Sequence, residues 1–453
     1  MNQRELRRLE RDLTEFLDEM LDGLGRVERV AALRSYATGL LLDGERKSIE
    51  PIAGRLVDSP DEIQAMRQRL QQAVTIAAWS DAVMFGRIAR KVENELPGVE
   101  ALVIDDTGFA KKGKHSVGVA RQYSGTLGRT DNCQVAVSLH LASEQGSACI
   151  AFDLYLPEEW TNDRERCRAA GVPDDVGFQT KHAIALQQLE RAVEAGVRKH
   201  VVLVDAGYGI STDFRDELTS RGHQYVAAIN GELSVWPPES TPRRTLVRTS
   251  RLATRTSPRY KDDRHPPRRV ADLASDLEFR KVTWREGSRG WQSSRFAAVR
   301  VRTAHRHTTG KPPGEEQWLL VEWPRGDKAP SRFWFSTLPE RTSIRTLVRL
   351  AKLRWRVERD YQELKQELGL DHYEGRTWRG FHHHATLCAA AHAFLALRRA
   401  LFPPEQDALD DFPGEAGAPT DSHQVGGAVP ALPPRSLTTC HLDGGVTDVI
   451  ESY

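Results

Sequence analysis

The chain has 453 residues, 39% apolar and 28% charged, so it is long enough for about three ordinary domains and has the composition of a folded globular protein. No run approaches the roughly 18 apolar residues of a membrane span, and the N-terminal MNQRELRRLERDLTEFLDEM lacks an apolar signal region, which argues against export and for a cytoplasmic protein. Five scattered cysteines without a CxxC pair (Cys133, Cys149, Cys167, Cys388 and Cys440) argue against a disulfide framework or zinc ribbon, and the formal net charge of +1 conceals two opposed segments.

In chain order, residues 1–95 predict a helical unit. Leu6, Leu9, Leu13, Phe16, Leu17 and Met20 recur at helical spacing, and Val30, Leu33, Tyr36, Leu40 and Leu41 form a second stripe after Gly23 and Gly25. A third helix is expected from Ser59 to about Ala73, with Ser59 as its cap. Its arginines are balanced by acids, so the unit reads either as a packing domain or as a helix-turn-helix that binds DNA. From Gly98 the pattern changes to short strands. ALVID is a buried apolar run that ends at Asp105 and Asp106 and breaks at Thr107 and Gly108. SVGVARQYS, CQVAVSLHLAS and ACIAFDLYL follow as an antiparallel meander. A helix from about Thr180 to Ala195 then leads to HVVLVDAGYG, a second buried run ending in an acid, Asp205. A helix from Ser211 to Arg221 and the strand QYVAAIN complete a βαβ rhythm. A lone aspartate after a strand is usually a turn residue or helix cap, but here two strands deliver one each.

Residues 241–270 hold ten Arg and Lys against two Asp. Such a run is either a solvated face or a clamp on a DNA backbone, built on Arg243, Arg244, Arg248 and Arg251 with Trp236, Trp284, Trp291 and Trp334 near enough in sequence to stack on bases. Lys111 and Lys112 pose the same choice beside Asp105. Beyond the basic run, EFRKVTWRE, RFAAVRVRTA, QWLLVEWP and RFWFST read as strands. LAKLRWRVERDYQELKQELGL, residues 350–370, predicts one long helix with Leu350, Leu353, Val357, Leu364 and Leu368 packed inward. Arg354, Glu358 and Lys365 then line up on its other face, where the bland reading is a row of solvated ion pairs. His382, His383 and His384 point in different directions on a helix and cannot chelate one ion, so a structural role is expected. Residues 401–453 hold nine Asp and Glu against Arg435 alone, rich in Pro and Gly, and read as a disordered acidic tail.

Two strand-end aspartates and a helical glutamate suit metal-assisted phosphoryl transfer, in which two hard cations about 4 Å apart need carboxylate oxygens. Paired acids also serve glycosidases, so the carboxylates alone do not choose the substrate. The stretches DDTGFAKKGKHSVGVARQYSGTLGRTDNCQVAVSLHLAS, LYLPEEWTNDRERCRAAGVPDDVGFQTKHAIALQQLERA and VLVDAGYG closely resemble the DDE transposases of bacterial insertion sequences, from about residue 25 to about residue 400. In that branch the third acid lies in a signature of Tyr, two residues, Arg, three residues, Glu, six residues, Lys. Arg354, Glu358 and Lys365 meet this spacing, whereas Ala351 stands where the signature has Tyr.

The resemblance implies Asp105, Asp205 and Glu358 as the catalytic acids and metal ligands, with Asp106 the alternative for the first, and two Mg²⁺ or Mn²⁺ ions as cofactors. Arg354 and Lys365 would hold DNA phosphate. It implies an α/β, RNase H-like mixed five-stranded sheet flanked by helices. The expected layout is a helical unit at 1–95, a catalytic core at 96–231 and 341–400, a basic β-rich insertion at 232–340 and a tail at 401–453. The implied function is cutting insertion-sequence ends and joining them to target DNA. The partners would be double-stranded DNA, with its terminal inverted repeats, and a second copy in the DNA complex; no membrane is involved, and the protein would be associated with the bacterial nucleoid. Relatives continue in basic sequence where this tail is acidic, so a truncated or frame-altered C-terminus is expected. An inactive remnant or domesticated DNA-binding protein, and a plain metal-dependent nuclease, are the alternative functions.

Overall fold

The computed structural model describes residues 3–248, 256–287, 290–305 and 307–402. The chain begins with five helices: α1 (Gln3–Leu21), α2 (Val27–Leu41), α3 (Ile49–Arg55), α4 (Pro60–Gln71), which runs into a π-helical turn (Gln72–Ile76), and α5 (Asp81–Glu95). Ser59 precedes α4, but its hydroxyl caps nothing. Next come β1 (Ala101–Ala110), β2 (Ala120–Ser124), β3 (Arg129–Ala142), β4 (Ser147–Tyr155), α6 (Glu158–Thr161), α7 (Arg164–Ala169), α8 (Lys181–Glu194) and β5 (Val201–Val204). A one-turn helix α9 (Ala206–Gly209), α10 (Thr212–Ser220) and β6 (Tyr225–Ile229) complete the βαβ unit expected from the sequence.

These strands form the RNase H-like heart. β1 pairs antiparallel with β3 and parallel with β5, β5 pairs parallel with β6, and β4 lies antiparallel to β3. Ala101, Leu102, Val103 and Ile104 of β1 are all fully buried, as a central strand covered on both faces must be. Its continuous apolar run is the sequence signature of that position.

Most of the insertion joins the sheet of the core. It contributes β7 (Ser234–Trp236), β8 (Arg243–Arg248), β9 (Thr256–Lys261), β10 (Arg268–Arg269), α11 (Val270–Ala274), β11 (Arg280–Gly287), β12 (Gly290–Thr303), β13 (Glu316–Trp323) and β14 (Arg332–Ser336). β14 pairs antiparallel with β6, and β13, β12, β7 and β10 continue outward, so core and insertion share one 12-stranded sheet; only β8 and β9 stand apart as a two-stranded hairpin. Strands that end a parallel core leave an unpaired edge, and β14 covers it.

Two clusters of buried side chains lie on the two sides of the sheet. One contains Leu102 and Ile104 of β1 and extends without a break into α1, α2 and α5. The other contains Ala101 and Val103 and is closed by α12 (Ile344–Leu353) and the start of α13 (Trp355–Gln362). A last helix, α14 (Trp378–Leu401), is buried over most of its length and packs against β4 and the N-terminal helices. No helix among the described residues is long and apolar enough to cross a membrane. The four described cysteines are all free and buried.

The expected single helix over residues 350–370 is corrected. It is interrupted at Arg354, between α12 and α13, and α13 passes into a π-helical turn (Glu363–Glu367). The cause is packing: Leu350, Leu353 and Val357 belong to one cluster and Leu364 and Leu368 to the other, so the segment must rotate its apolar stripe partway along.

Candidate active site

Alternation along β1 decides which of the paired aspartates faces which side. Asp105 follows Ala101 and Val103 onto the side covered by α12 and α13, whereas Asp106 turns to the other side and pairs with Lys181 of α8. The strand does not stop there, as the sequence reading expected. It runs on to Ala110, because β3 is long enough to pair with Thr107 and Gly108. Gly108 serves close packing, since a Cβ there would lie 2.0 Å from Ser124 Oγ.

Asp205 follows β5, the parallel neighbour of β1, and caps α9: its Oδ1 accepts from the Tyr208 amide at 3.2 Å. By the same alternation it shares the side of Asp105, since Val201 and Leu203 belong to that cluster. Glu358 lies in the first turn of α13, with a side chain 67% exposed.

Arg354, at the joint between the helices, connects Asp105 and Glu358. Its Nη1 donates to Asp105 Oδ2 at 2.7 Å and its Nη2 to Glu358 Oε1 at 3.2 Å. Burial opposes its charge, but Asp105, Asp205 and Glu358 together outweigh that and raise its pKa. Burial pushes the Asp105 carboxyl up to about 6; Arg354 works against this, while Asp205 and Asp106 add to it. One guanidinium therefore does not neutralise the site.

Its donors are hard carboxylate oxygens, and its residual negative charge is what a small divalent cation would relieve, so the residues fit Mg²⁺ or Mn²⁺ in kind. Among the described residues, no three or more His, Cys, Asp or Glu stand grouped so as to hold an ion. Arg354 takes up carboxylate oxygens that such an ion would need.

Other expected site residues are dispersed. Lys365 leaves the π-helical turn, donates to the Gly108 carbonyl at 2.9 Å and lies over the Phe109 ring, so it sits about 10 Å along β1 from Asp105. Burial lowers its pKa to about 8, with Asp371 opposing. Lys111 donates to the Tyr373 carbonyl at 3.0 Å, and Lys112 is exposed. Arg243 and Arg244 are exposed on the β8–β9 hairpin, Arg248 ends β8, and Arg251 lies outside the described residues, as does the acidic tail from residue 403. Trp236 and Trp334 are core residues, 1% and 9% exposed, and cannot stack on a base; Trp291, at 67%, can. Ala351 is half-buried against the core beneath α12.

Sequence reading missed two features. One is a pocket of about 480 Å³ where Trp284 and Trp291 of the insertion meet Arg345, Arg349, Trp355 and Arg356. The other is a row of buried polar contacts behind Asp105: Tyr361 Oη to Ser138 Oγ (2.6 Å), Ser138 Oγ to His140 Nε2 (2.9 Å) and His140 Nδ1 to Asp360 Oδ2 (2.7 Å). Asp360 in the inward stripe of a helix is the one signal that could have exposed it, because a buried carboxylate requires partners.

The mixed sheet flanked by helices is the α/β, RNase H-like fold expected from the sequence. The profile described as DDE superfamily endonuclease matches residues 19–291, more than half of the chain, and the chain belongs to that family. The matched region contains Asp105 and Asp205, whereas Arg354, Glu358 and Lys365 lie beyond it. The chain is also similar to a protein of Microchaete diplosiphon named "Probable transposase for insertion sequence element IS701". The two are 29% identical over 205 residues, covering 45% of this chain and 50% of that protein. The chain thus spans about half the length of the curated relative it matches.

Proposed function

We propose that this chain is a DNA transposase that cuts the ends of an insertion sequence and joins them to target DNA. The observation that carries this reading is the position of Asp105 on β1 and Asp205 just after its parallel neighbour β5, with Glu358 reached from the same side through Arg354. Asp105, Asp205 and Glu358 would hold the divalent ions. Those ions, when bound, supply the Lewis acidity that activates an attacking oxygen and stabilises the leaving oxygen at phosphorus. Arg354 is placed to exchange carboxylate for DNA phosphate. Trp291, beside Arg345 and Arg356, offers a stacking surface for an exposed base, and the exposed Arg243 and Arg244 offer backbone contacts. The working form is a homodimer on double-stranded DNA carrying the terminal repeats, in the bacterial cytoplasm.

A second reading, a DNA-binding chain that no longer cleaves, is favoured by the Arg354 bridges and by the ungrouped acids. Glu358→Gln separates the two. The exposed pair with Arg354 is worth less than about 1 kcal/mol, so the variant keeps its fold and binds DNA as before. Its cleavage in Mg²⁺ is expected to drop by more than about 100-fold, beyond the loss typical of an outer-shell change. Cleavage retained by the variant would remove Glu358 from the site; no cleavage by the unmodified chain favours the second reading.

A further inference from the structure

We propose that Tyr361, Ser138, His140 and Asp360 form a buried positioning network that sets the distance between the first and third acids, a role that rests on the reading just given. Ser138 is the cross-strand partner of Asp105 in the β1–β3 ladder, so the two side chains rise from the same side of the sheet about 5 Å apart. Tyr361 is one turn beyond Glu358 on the same helix. The hydrogen bond between Tyr361 and Ser138 therefore ties the helix carrying the third acid to the strand residue facing the first.

The rest of the network makes that tie rigid. Each polar atom has a partner: Tyr361 Oη bonds Ser138 Oγ, Ser138 Oγ bonds His140 Nε2, and His140 Nδ1 bonds the Asp360 carboxylate. Asp360 also accepts from Ser147 at 2.6 Å. Tyr361 is half-buried, while Ser138, His140 and Asp360 are 0%, 0% and 4% exposed, so the contacts from Ser138 inward are shielded from water and directional. Apolar packing alone would let α13 rotate by small amounts at little cost. A buried row of hydrogen bonds does not, because any slip leaves a polar group unpaired. Tyr361 feels the first acid directly: burial, and after it the Asp105 carboxylate, hold its phenol well above the usual range. None of the four side chains is needed to touch substrate, so they act by placement.

The test uses Tyr361→Phe and Ser138→Ala in the full chain, each deleting one hydroxyl with almost no change in volume. Mn²⁺ affinity is measured by the electron paramagnetic resonance signal of the free ion, alongside DNA affinity, cleavage rate and thermal stability. Both variants are expected to lose roughly 10- to 100-fold in Mn²⁺ affinity and a similar factor in cleavage rate, with DNA affinity unchanged. The double variant should lose no more than either single one, since both cut the same link. Should one variant fail to fold, the other decides. Lowered melting temperature with unchanged Mn²⁺ affinity makes the network merely structural and overturns the proposal. An unmodified chain that binds no Mn²⁺ at millimolar concentration removes the proposal and the transposase reading together. One that binds Mn²⁺ and cleaves, with variants equal to it, removes only the proposal.

Discussion

Arg354 pairs with both Asp105 and Glu358 when no cation does, and this has a measurable consequence. Arg354→Gln leaves the buried Asp105 without its nearest positive charge, so the variant should melt lower than the parent in chelator. Added Mg²⁺ binds the folded state and should recover part of the loss, more in the variant than in the parent, whose guanidinium competes for the same oxygens. Melts with and without Mg²⁺ check this; identical shifts in both chains would show that Arg354 and the ion do not compete. A second residue-scale prediction concerns His384, whose two nitrogens are served by Tyr36 Oη (2.9 Å) and the Gly369 carbonyl (3.1 Å). Those partners suit the neutral ring. Burial lowers its pKa to about 4, with the Gly369 carbonyl opposing. The unfolded chain takes up this proton near pH 6.5, so the stabilisation is fully present above that value and falls as pH drops from about 6.5 towards 4. The loss is up to about 1.4 kcal/mol per pH unit. His384→Gln should flatten the decline in melting temperature between pH 7 and 5, and an equal slope in both chains would exclude His384 as its source.

At the scale of elements, the segment from α12 to the π-helical turn presents three charged groups in three surroundings. Arg354 lies at a joint, Glu358 on an exposed first turn, and Lys365 on the widened turn beneath β1. The spacing of these residues was legible in the chain, but their common face was not. Helical periodicity assumes one partner surface, and this segment serves two. The β8–β9 hairpin shows the reverse case. Its charge was plain from composition, and the exposed Arg243 and Arg244 on a hairpin outside the main sheet are free to meet a partner. Replacing Arg243, Arg244 and Arg248 with Gln should weaken binding to all DNA alike and flatten the salt dependence, by roughly 0.9 in the logarithmic slope for each phosphate that the variant no longer neutralises. Titrations at several salt concentrations check it; an unchanged slope would mean that the hairpin faces water.

At the scale of the molecule, the N-terminal helices and the sheet share one core. Phe16 packs on Phe394 with ring centroids 5.5 Å apart, Trp79 stacks on His383 at 3.8 Å, and Tyr36 bonds His384, all three contacts falling on α14. The three consecutive histidines are thus structural: a helix buried on every side points each of them at a different neighbour. Removing residues 1–95 would strip α14 of this cover and expose a large apolar surface. Residues 96–453 expressed alone are expected to be insoluble or aggregated, as judged by gel filtration. A soluble, monodisperse product with native-like circular dichroism would show that the helical unit folds apart from the rest.

The sequence by itself determined the order of elements, the buried character of β1 and β5, the family resemblance, and the acids worth watching, because apolar runs, turn residues and motif spacing are local properties. It could not determine that Asp105 and Asp106 part to opposite sides with different partners, that Arg354 bridges two acids, or that Trp236 and Trp334 lie in the core while Trp291 does not. Nor could it place Tyr361 against Ser138, 223 residues away. Such contacts arise only when distant strands and helices pack together, and the cost of leaving buried charges and hydroxyls unpaired is what selects them.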